Sequence, residues 1–139
     1  MTHTHVEELR RKLVTGSQFA DTWDYFLTNF AESPEFIARG KPGPQPPLMA
    51  CLLECYRRAK PNVKVASLDL FLPIEVPEFK MIHGTFQVQG LGCGFVYFTE
   101  LDMGMVCFTN MKTGECIMGR FHADPKAMKS MSTSPAGVQ

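Results

Sequence analysis

The back half of the chain contains the stretch Phe79–Phe121, which reads FKMIHGTFQVQGLGCGFVYFTELDMGMVCFTNMKTGECIMGRF. Apolar and polar residues alternate along it with a period of two, which is typical of β-strands. One parity is almost wholly apolar and contains Ile82, Phe86, Val88, Val96, Phe98, Val106, Phe108 and Met118. The other parity, here called the mixed face, contains His83, Thr85, Gln87, Phe95, Tyr97, Thr99, Cys107, Thr109 and Ile117. The pattern predicts one buried face and favours the mixed face as the place of function.

Glycine-containing turns predict the register between these strands. Leu101–Gly104 and Met111–Gly114 match type I turns that end in a left-handed glycine. They would place Phe98 beside Phe108, and Phe108 beside Met118. Gly90–Gly94 is dense in glycine, but a strand-like segment follows it. A hairpin is therefore favoured over a phosphate-binding loop, which needs a helix at that point.

The front half predicts helices that cover the sheet. Apolar residues recur there at helical spacing: Val6, Leu9, Leu13, Phe19, Trp23, Phe26, Phe30, Leu48, Leu52, Cys55 and Tyr56. Helix boundaries are expected at Gly16, Ser17, Ser33–Glu35, Gly40 and Pro61, with a proline-rich connector at Lys41–Pro47. The expected fold is α+β in two layers, with N-terminal helices packed on a C-terminal antiparallel β-meander of four to five strands.

The domain organisation follows from where the period changes. Residues 1–125 are expected to form a single domain, with a helical half at 1–60 and an antiparallel sheet at 63–122. Its first strand is expected at Val63–Leu72, with a bulge near Ala66–Ser67, and Pro73 and Pro77 would bracket a connection. Residues 126–139 are expected to be a flexible tail.

Composition bears on the class of partner. The 14 Lys and Arg residues balance 14 Asp and Glu residues, so no net field attracts nucleic acid or an anionic membrane. The first residues, MTHTHVEELRRK, contain no apolar leader segment, and no apolar run reaches the ~20 residues of a membrane span. Five scattered cysteines favour reduced thiols and a cytoplasmic protein. The predicted register supports this, since it places Cys107 and Cys116 on opposite faces.

Metal and cofactor motifs are weak. Cys51 and Cys55 lie four residues apart on a helix, but no second ligand pair with zinc spacing accompanies them. Core cysteines are therefore favoured, and neither a metal nor a cofactor is predicted. His83 and Cys107 share the mixed face, but the strand between them would separate them by about two strand spacings of ~4.8 Å. Glu54 is embedded among apolar residues, where burial would suit a general base, although a solvent-facing position is the simpler interpretation.

Two functional hypotheses remain open. The first is a non-enzymatic binding or homodimerising module that uses the mixed face for an apolar small ligand or a partner. Its site would be lined by His83, Gln87, Phe95, Tyr97, Thr99 and Thr109. The alternative is a small thioesterase-like hydrolase, by analogy with folds that also join a helix to a meander, with Glu54 as general base and His83 as a polarising donor. The absence of a readable catalytic set favours the first hypothesis.

Overall fold

The computed structural model describes residues 3–15, 18–31, 33–43, 46–60, 68–122 and 133–135. Its four helices are α1 (His3–Val14), α2 (Phe19–Phe26), which continues as a π-helical turn at Leu27–Ala31, α3 (Pro34–Ala38) and α4 (Pro46–Ala59). The expected start of α3 is confirmed. Ser33 caps that helix by accepting a hydrogen bond from the Phe36 amide at 3.3 Å.

The strands of the described residues form a single antiparallel sheet, which confirms the α+β class. Its strands lie side by side in chain order: β1 (Lys41–Pro42), β2 (Asp69–Val76), β3 (Met81–Val88), β4 (Leu91–Phe98), β5 (Met103–Thr109), β6 (Cys116–Phe121) and β7 (Thr133–Pro135). Six of these strands, β2 to β7, follow the last helix in the described residues. The prediction of four to five strands was therefore too low. One of the six, β7, lies within the segment expected to be a tail.

Several predicted boundaries fall outside the described residues. These are Gly16, Ser17, Pro61, Val63–Ser67 with its bulge, and most of the tail. A register irregularity is seen between Asp69 and Leu72 of β2. None of the helices in the described ranges is long and apolar enough to cross a bilayer.

The sheet is covered on both faces, so the predicted two-layer arrangement is wrong. Helix α4 packs on one face, where Leu52 and Cys55 join a core with Phe86, Phe95 and Phe108. Helices α1, α2 and α3 pack on the other face around a separate core. That second core contains Leu9, Leu13, Phe26, Phe30, Phe36, Met81, Val96, Phe98 and Met105. The two faces are called the α4 face and the three-helix face below.

Helices on both faces follow from a register that differs from the predicted one. Phe98 lies opposite Met103, and Phe108 lies opposite Ile117, instead of beside Phe108 and Met118. An odd shift in register moves every side chain of a strand to the other face. The predicted apolar parity is therefore divided between the two faces, and the mixed face is not one surface.

The turns explain the shift. Gln89 and Gly90 form a two-residue turn with φ of 51° and 79°, the left-handed geometry of a tight hairpin. The left-handed residue between β4 and β5 is Asp102, at φ 48°, rather than the predicted Gly104. Gly104 instead lies within β5, where the Phe121 ring occupies the space that a Cβ atom would need. At the next turn the predicted left-handed glycine is confirmed, because Gly114 has φ 79°, but the register across that turn differs from the prediction by one residue.

Strand β2 lies next to the edge of the sheet and has an irregular backbone. Pro73 was expected in a connection but lies inside β2, which is possible because a proline without an N–H group is tolerated near a sheet edge. Only two residues of β1 pair with β2, at Ile74 and Glu75. Leu70 has a left-handed φ of 51° at the register irregularity. The outer hydrogen-bonding edge of β2 is therefore interrupted along its length.

Candidate functional site: an apolar groove over two glycines

The three-helix face has a part without large side chains, over strand β4. Gly94 lies between Thr85 and Cys107 of the neighbouring strands, and Gly92 lies between Gln87 and Thr109. Because glycine has no side chain, the surface over β4 is lowered between β3 and β5, across about two strand spacings or ~10 Å. A Cβ atom on Gly94 would lie only 3.2 Å from the Trp23 ring, and thus the indole covers one end of this depression.

This depression is the floor of a groove of about 590 Å³, called the glycine groove below. It is lined by Trp23, Phe26, Leu27, Ala31, Ile37, Leu72, Ile74, His83, Gly84, Thr85, Gly92, Cys93, Gly94, Cys107, Thr109 and Met111. The buried end is formed by Trp23 and Phe26 of α2, and the open end by the 75% exposed Met111. A Cβ atom on Gly92 would contact the Met111 sulfur at 3.3 Å, and hence that flexible side chain lies over the floor.

Exposed apolar side chains surround the groove. Six large apolar residues are exposed in the described part of the chain, and five of them, Leu27, Ile37, Leu70, Leu72 and Met111, lie around the groove or in the recess beside it. The sixth is Val14, on α1. Large exposed apolar patches on a protein surface often mark binding sites. The five residues are called the apolar rim below.

His83 contributes a neutral imidazole to the groove wall. Its ring packs against Phe36 at a centroid distance of 4.7 Å and against Phe26 at 6.0 Å. Burial of this ring lowers the pKa of His83 from 6.5 to about 4, because the charged form loses its hydration. The buried Nε2 atom has no hydrogen-bond partner among the described residues. At neutral pH the His83 ring in the groove wall is thus uncharged.

The thiols near the groove are uncharged as well, because they are protonated. Cys107 lies in the wall, with its Sγ atom 3.4 Å from the Thr109 hydroxyl, and burial raises its pKa. Burial also raises the pKa of Cys93 to about 12, and its side chain belongs to the core of the α4 face. Since a thiolate is the nucleophilic form, neither cysteine is prepared for covalent catalysis.

The argument that separated Cys107 from Cys116 was wrong. Cys116 lies opposite Thr109, which shares the face of Cys107, and both cysteines therefore lie on the three-helix face. The off-by-one register across the β5–β6 turn caused this error. All five cysteines are nevertheless free thiols.

The structure divides the predicted binding residues. His83 and Thr109 line the groove, and Gln87 lies in the recess beside it. Phe95 and Tyr97 are buried on the α4 face, where the Tyr97 hydroxyl donates a hydrogen bond to Asp102 Oδ1 at 2.8 Å.

Thr99 also lies away from the groove. It is exposed in the β4–β5 turn, and its hydroxyl donates to the Lys80 carbonyl at 3.2 Å. Phe95, Tyr97 and Thr99 thus do not join His83, because β4 has the opposite facing from the one predicted.

The residues of the alternative catalytic pair are not together either. Glu54 forms an ion pair with Arg58 at 3.3 Å, and its side chain is 43% exposed on α4. The burial that would suit it to general-base work is absent. His83 lies on the three-helix face, so the sheet separates the two groups.

The residues that shape the groove were not identified from the sequence. Trp23, Phe26 and Ile37 come from the helical half, and the predicted fold did not specify which part of the sheet they would leave open. The available signal was the spacing of Gly92 and Gly94, because alternate glycines within a strand indicate close approach of another group. Comparison with protein-family models, curated proteins and solved structures finds no match for this chain.

Proposed function

We propose that this chain is a non-enzymatic binding module that holds an apolar small molecule in the glycine groove. The observation that supports it is the groove itself, in which a glycine floor is enclosed by apolar walls and a few neutral polar groups. Such concave, mostly apolar sites are typical of ligand pockets. The protonated thiols, the neutral His83 and the distant Glu54 support a binding role over catalysis.

Adamantanol, a compact apolar alcohol, is expected to bind in the groove and to change the emission of Trp23, the single tryptophan of the chain. Gly92→Leu should weaken this binding roughly tenfold or more, because the new side chain fills the groove. The substitution is compatible with the backbone, since the Cβ atom meets only the flexible Met111 side chain. Fluorescence titration provides the dissociation constants.

Thr15→Leu is the matched control, because it adds a leucine at an exposed position just beyond α1 and away from the groove. Its affinity for adamantanol should equal that of the unmodified protein. Absence of saturable binding to the unmodified protein, or equal binding to Gly92→Leu, would contradict the proposed function.

The apolar rim supports a second candidate function, homodimerisation across the same face. The rim would supply an apolar surface that two copies related by a twofold axis could bury against each other. The interrupted outer edge of β2 disfavours strand-to-strand pairing at the edge of the sheet beside this surface, so the proposed dimer packs face to face. The free thiols favour a reducing compartment such as the cytoplasm, and this location stays a prediction.

Leu72→Glu is expected to raise the dissociation constant of such a dimer roughly 100-fold, because a carboxylate would be buried against an apolar partner surface. The matched control is Val14→Glu, since Val14 is 58% exposed and Leu72 is 63% exposed. Sedimentation equilibrium measures both constants. A protein that stays monomeric at every concentration tested would exclude homodimerisation and leave ligand binding unaffected.

A further inference from the structure

We propose that the glycine groove selects uncharged ligands, namely apolar molecules whose polar group is a hydroxyl, a carbonyl or an amide. The inference rests on the proposed binding function and specifies the chemical class of the ligand. It excludes carboxylate anions, such as fatty acids at neutral pH, and ammonium cations. The argument depends on which side chains form the wall and which charges they lack.

The wall of the groove contains no Asp, Glu, Lys or Arg side chain among its sixteen described lining residues. This is unusual for a chain in which 20% of residues are charged. Asp24, Glu75 and Lys112 are adjacent in sequence to lining residues, but none of the three lines the groove. A charged ligand group would therefore find no counter-ion in the wall.

The wall offers neutral hydrogen-bonding groups instead. Thr85 lies in an exposed position on β3, and Thr109 lies on the opposite wall. His83 adds an uncharged imidazole ring to the wall, although its buried Nε2 atom is out of reach of a ligand. Its protonation would require a cation to form between two phenylalanine rings, and burial opposes this by lowering the pKa to about 4. The two threonine hydroxyls can bond a hydroxyl or a carbonyl of a ligand without creating a charge.

The difference in affinity between uncharged and charged ligands is expected to come from desolvation of the polar group. An uncharged hydroxyl loses little on entering the groove, because it exchanges water for a threonine hydroxyl. A carboxylate or an ammonium group loses strong hydration and gains no opposite charge in return. A rigid, compact ligand increases this penalty, because no flexible chain allows its charged group to extend back into water.

Three probes with one carbon cage test this selectivity: adamantanol, adamantane carboxylate and adamantyl ammonium. Titration of Trp23 emission at neutral pH should show binding of adamantanol at least roughly tenfold tighter than binding of either ion. The probes share their shape and apolar surface, so the ratio reports the charge alone. None of them has an aromatic chromophore that would interfere with the tryptophan signal.

Thr85→Lys provides a complementary change of selectivity. It places an ammonium group in the wall beside Gly94, and should raise the affinity for adamantane carboxylate relative to that for adamantanol roughly tenfold. Thr15→Lys is the matched control, because it makes the same change of charge at an exposed position outside the groove. It should leave the affinities of all three probes unchanged.

The possible outcomes separate this inference from the proposed function. If adamantane carboxylate or adamantyl ammonium binds as tightly as adamantanol, the groove is a ligand site without selection against charge, and only this inference is overturned. If no probe binds to the unmodified protein, both the binding function and its selectivity are overturned. Tighter binding of adamantanol, together with the relative gain for carboxylate in Thr85→Lys, supports both.

Discussion

Replacement of Phe95 by alanine is expected to lower the free energy of unfolding by about 3–5 kcal/mol, a large part of the stability of a domain of this size. Phe95 is fully buried on the α4 face, where its ring packs against Phe71 at 5.8 Å, Phe86 at 6.3 Å and Phe121 at 6.4 Å. Truncation removes these contacts and leaves a cavity that a rigid sheet cannot close. Urea denaturation monitored by circular dichroism measures the loss.

The matched control is Thr99→Ala, on the same hairpin but exposed. Its effect should stay within about 1 kcal/mol, since it loses one hydrogen bond at the surface. The opposite order, with Phe95→Ala nearly neutral, would mean that Phe95 lines an open site, as the sequence pattern suggested. That result would mean that Phe95 and the other odd-numbered residues of β4 point to the three-helix face.

Acidification is expected to destabilise the protein through His83. The pKa of His83 is about 4 in the folded state and near its ordinary value of 6.5 in the unfolded chain, because burial disfavours the imidazolium ion. Between these two values the unfolded chain binds more protons, so the stability from the neutral ring is fully present above pH 6.5. It is lost as the pH falls towards 4, by about 2–3 kcal/mol in all.

Denaturant unfolding at a series of pH values between 7 and 4.5 tests this, with His83→Phe as the comparison. A phenyl ring does not titrate and can pack against Phe26 and Phe36, so this variant should lose much less stability over the same interval. The acidic groups whose folded-state pKa is lowered, such as Glu100, act mainly below this range. Equal losses in the two proteins would show that His83 is not the responsible group.

The sequence allowed the class of each element to be predicted but not the facing of the strands. Helical spacing before residue 60 and alternation after Phe79 predicted an α+β chain, and Gly114 predicted the β5–β6 turn. The face of the sheet to which each side chain of a strand points depends on whether the preceding turn contains an even or an odd number of residues. Gln89–Gly90 and the left-handed Asp102 determine this for β4, and an aspartate at that position gives a weaker signal than a glycine.

Only some of the residues that line the groove were named from the sequence, because the side chains of β4 were assigned to the wrong face. His83 and Thr109 were identified because they are polar residues in strands that alternate, and both lie in the groove wall. Phe95 and Tyr97 were assigned to the same surface, although they belong to the opposite core. With both faces buried, apolar residues fill both parities, and alternation no longer indicates which side faces water. Trp23 was identified as an apolar helix residue, but its position over Gly94 depends on packing between distant parts of the chain.

The irregular β2 strand has a consequence for the behaviour of the protein at high concentration. A sheet with an exposed apolar surface is at risk of growing into a fibril when its edge can add identical strands indefinitely. Pro73 provides no amide proton, and the left-handed Leu70 interrupts the straight ladder that a growing fibril requires. The chain can therefore expose the apolar rim while the edge of the sheet beside β2 resists the addition of identical strands.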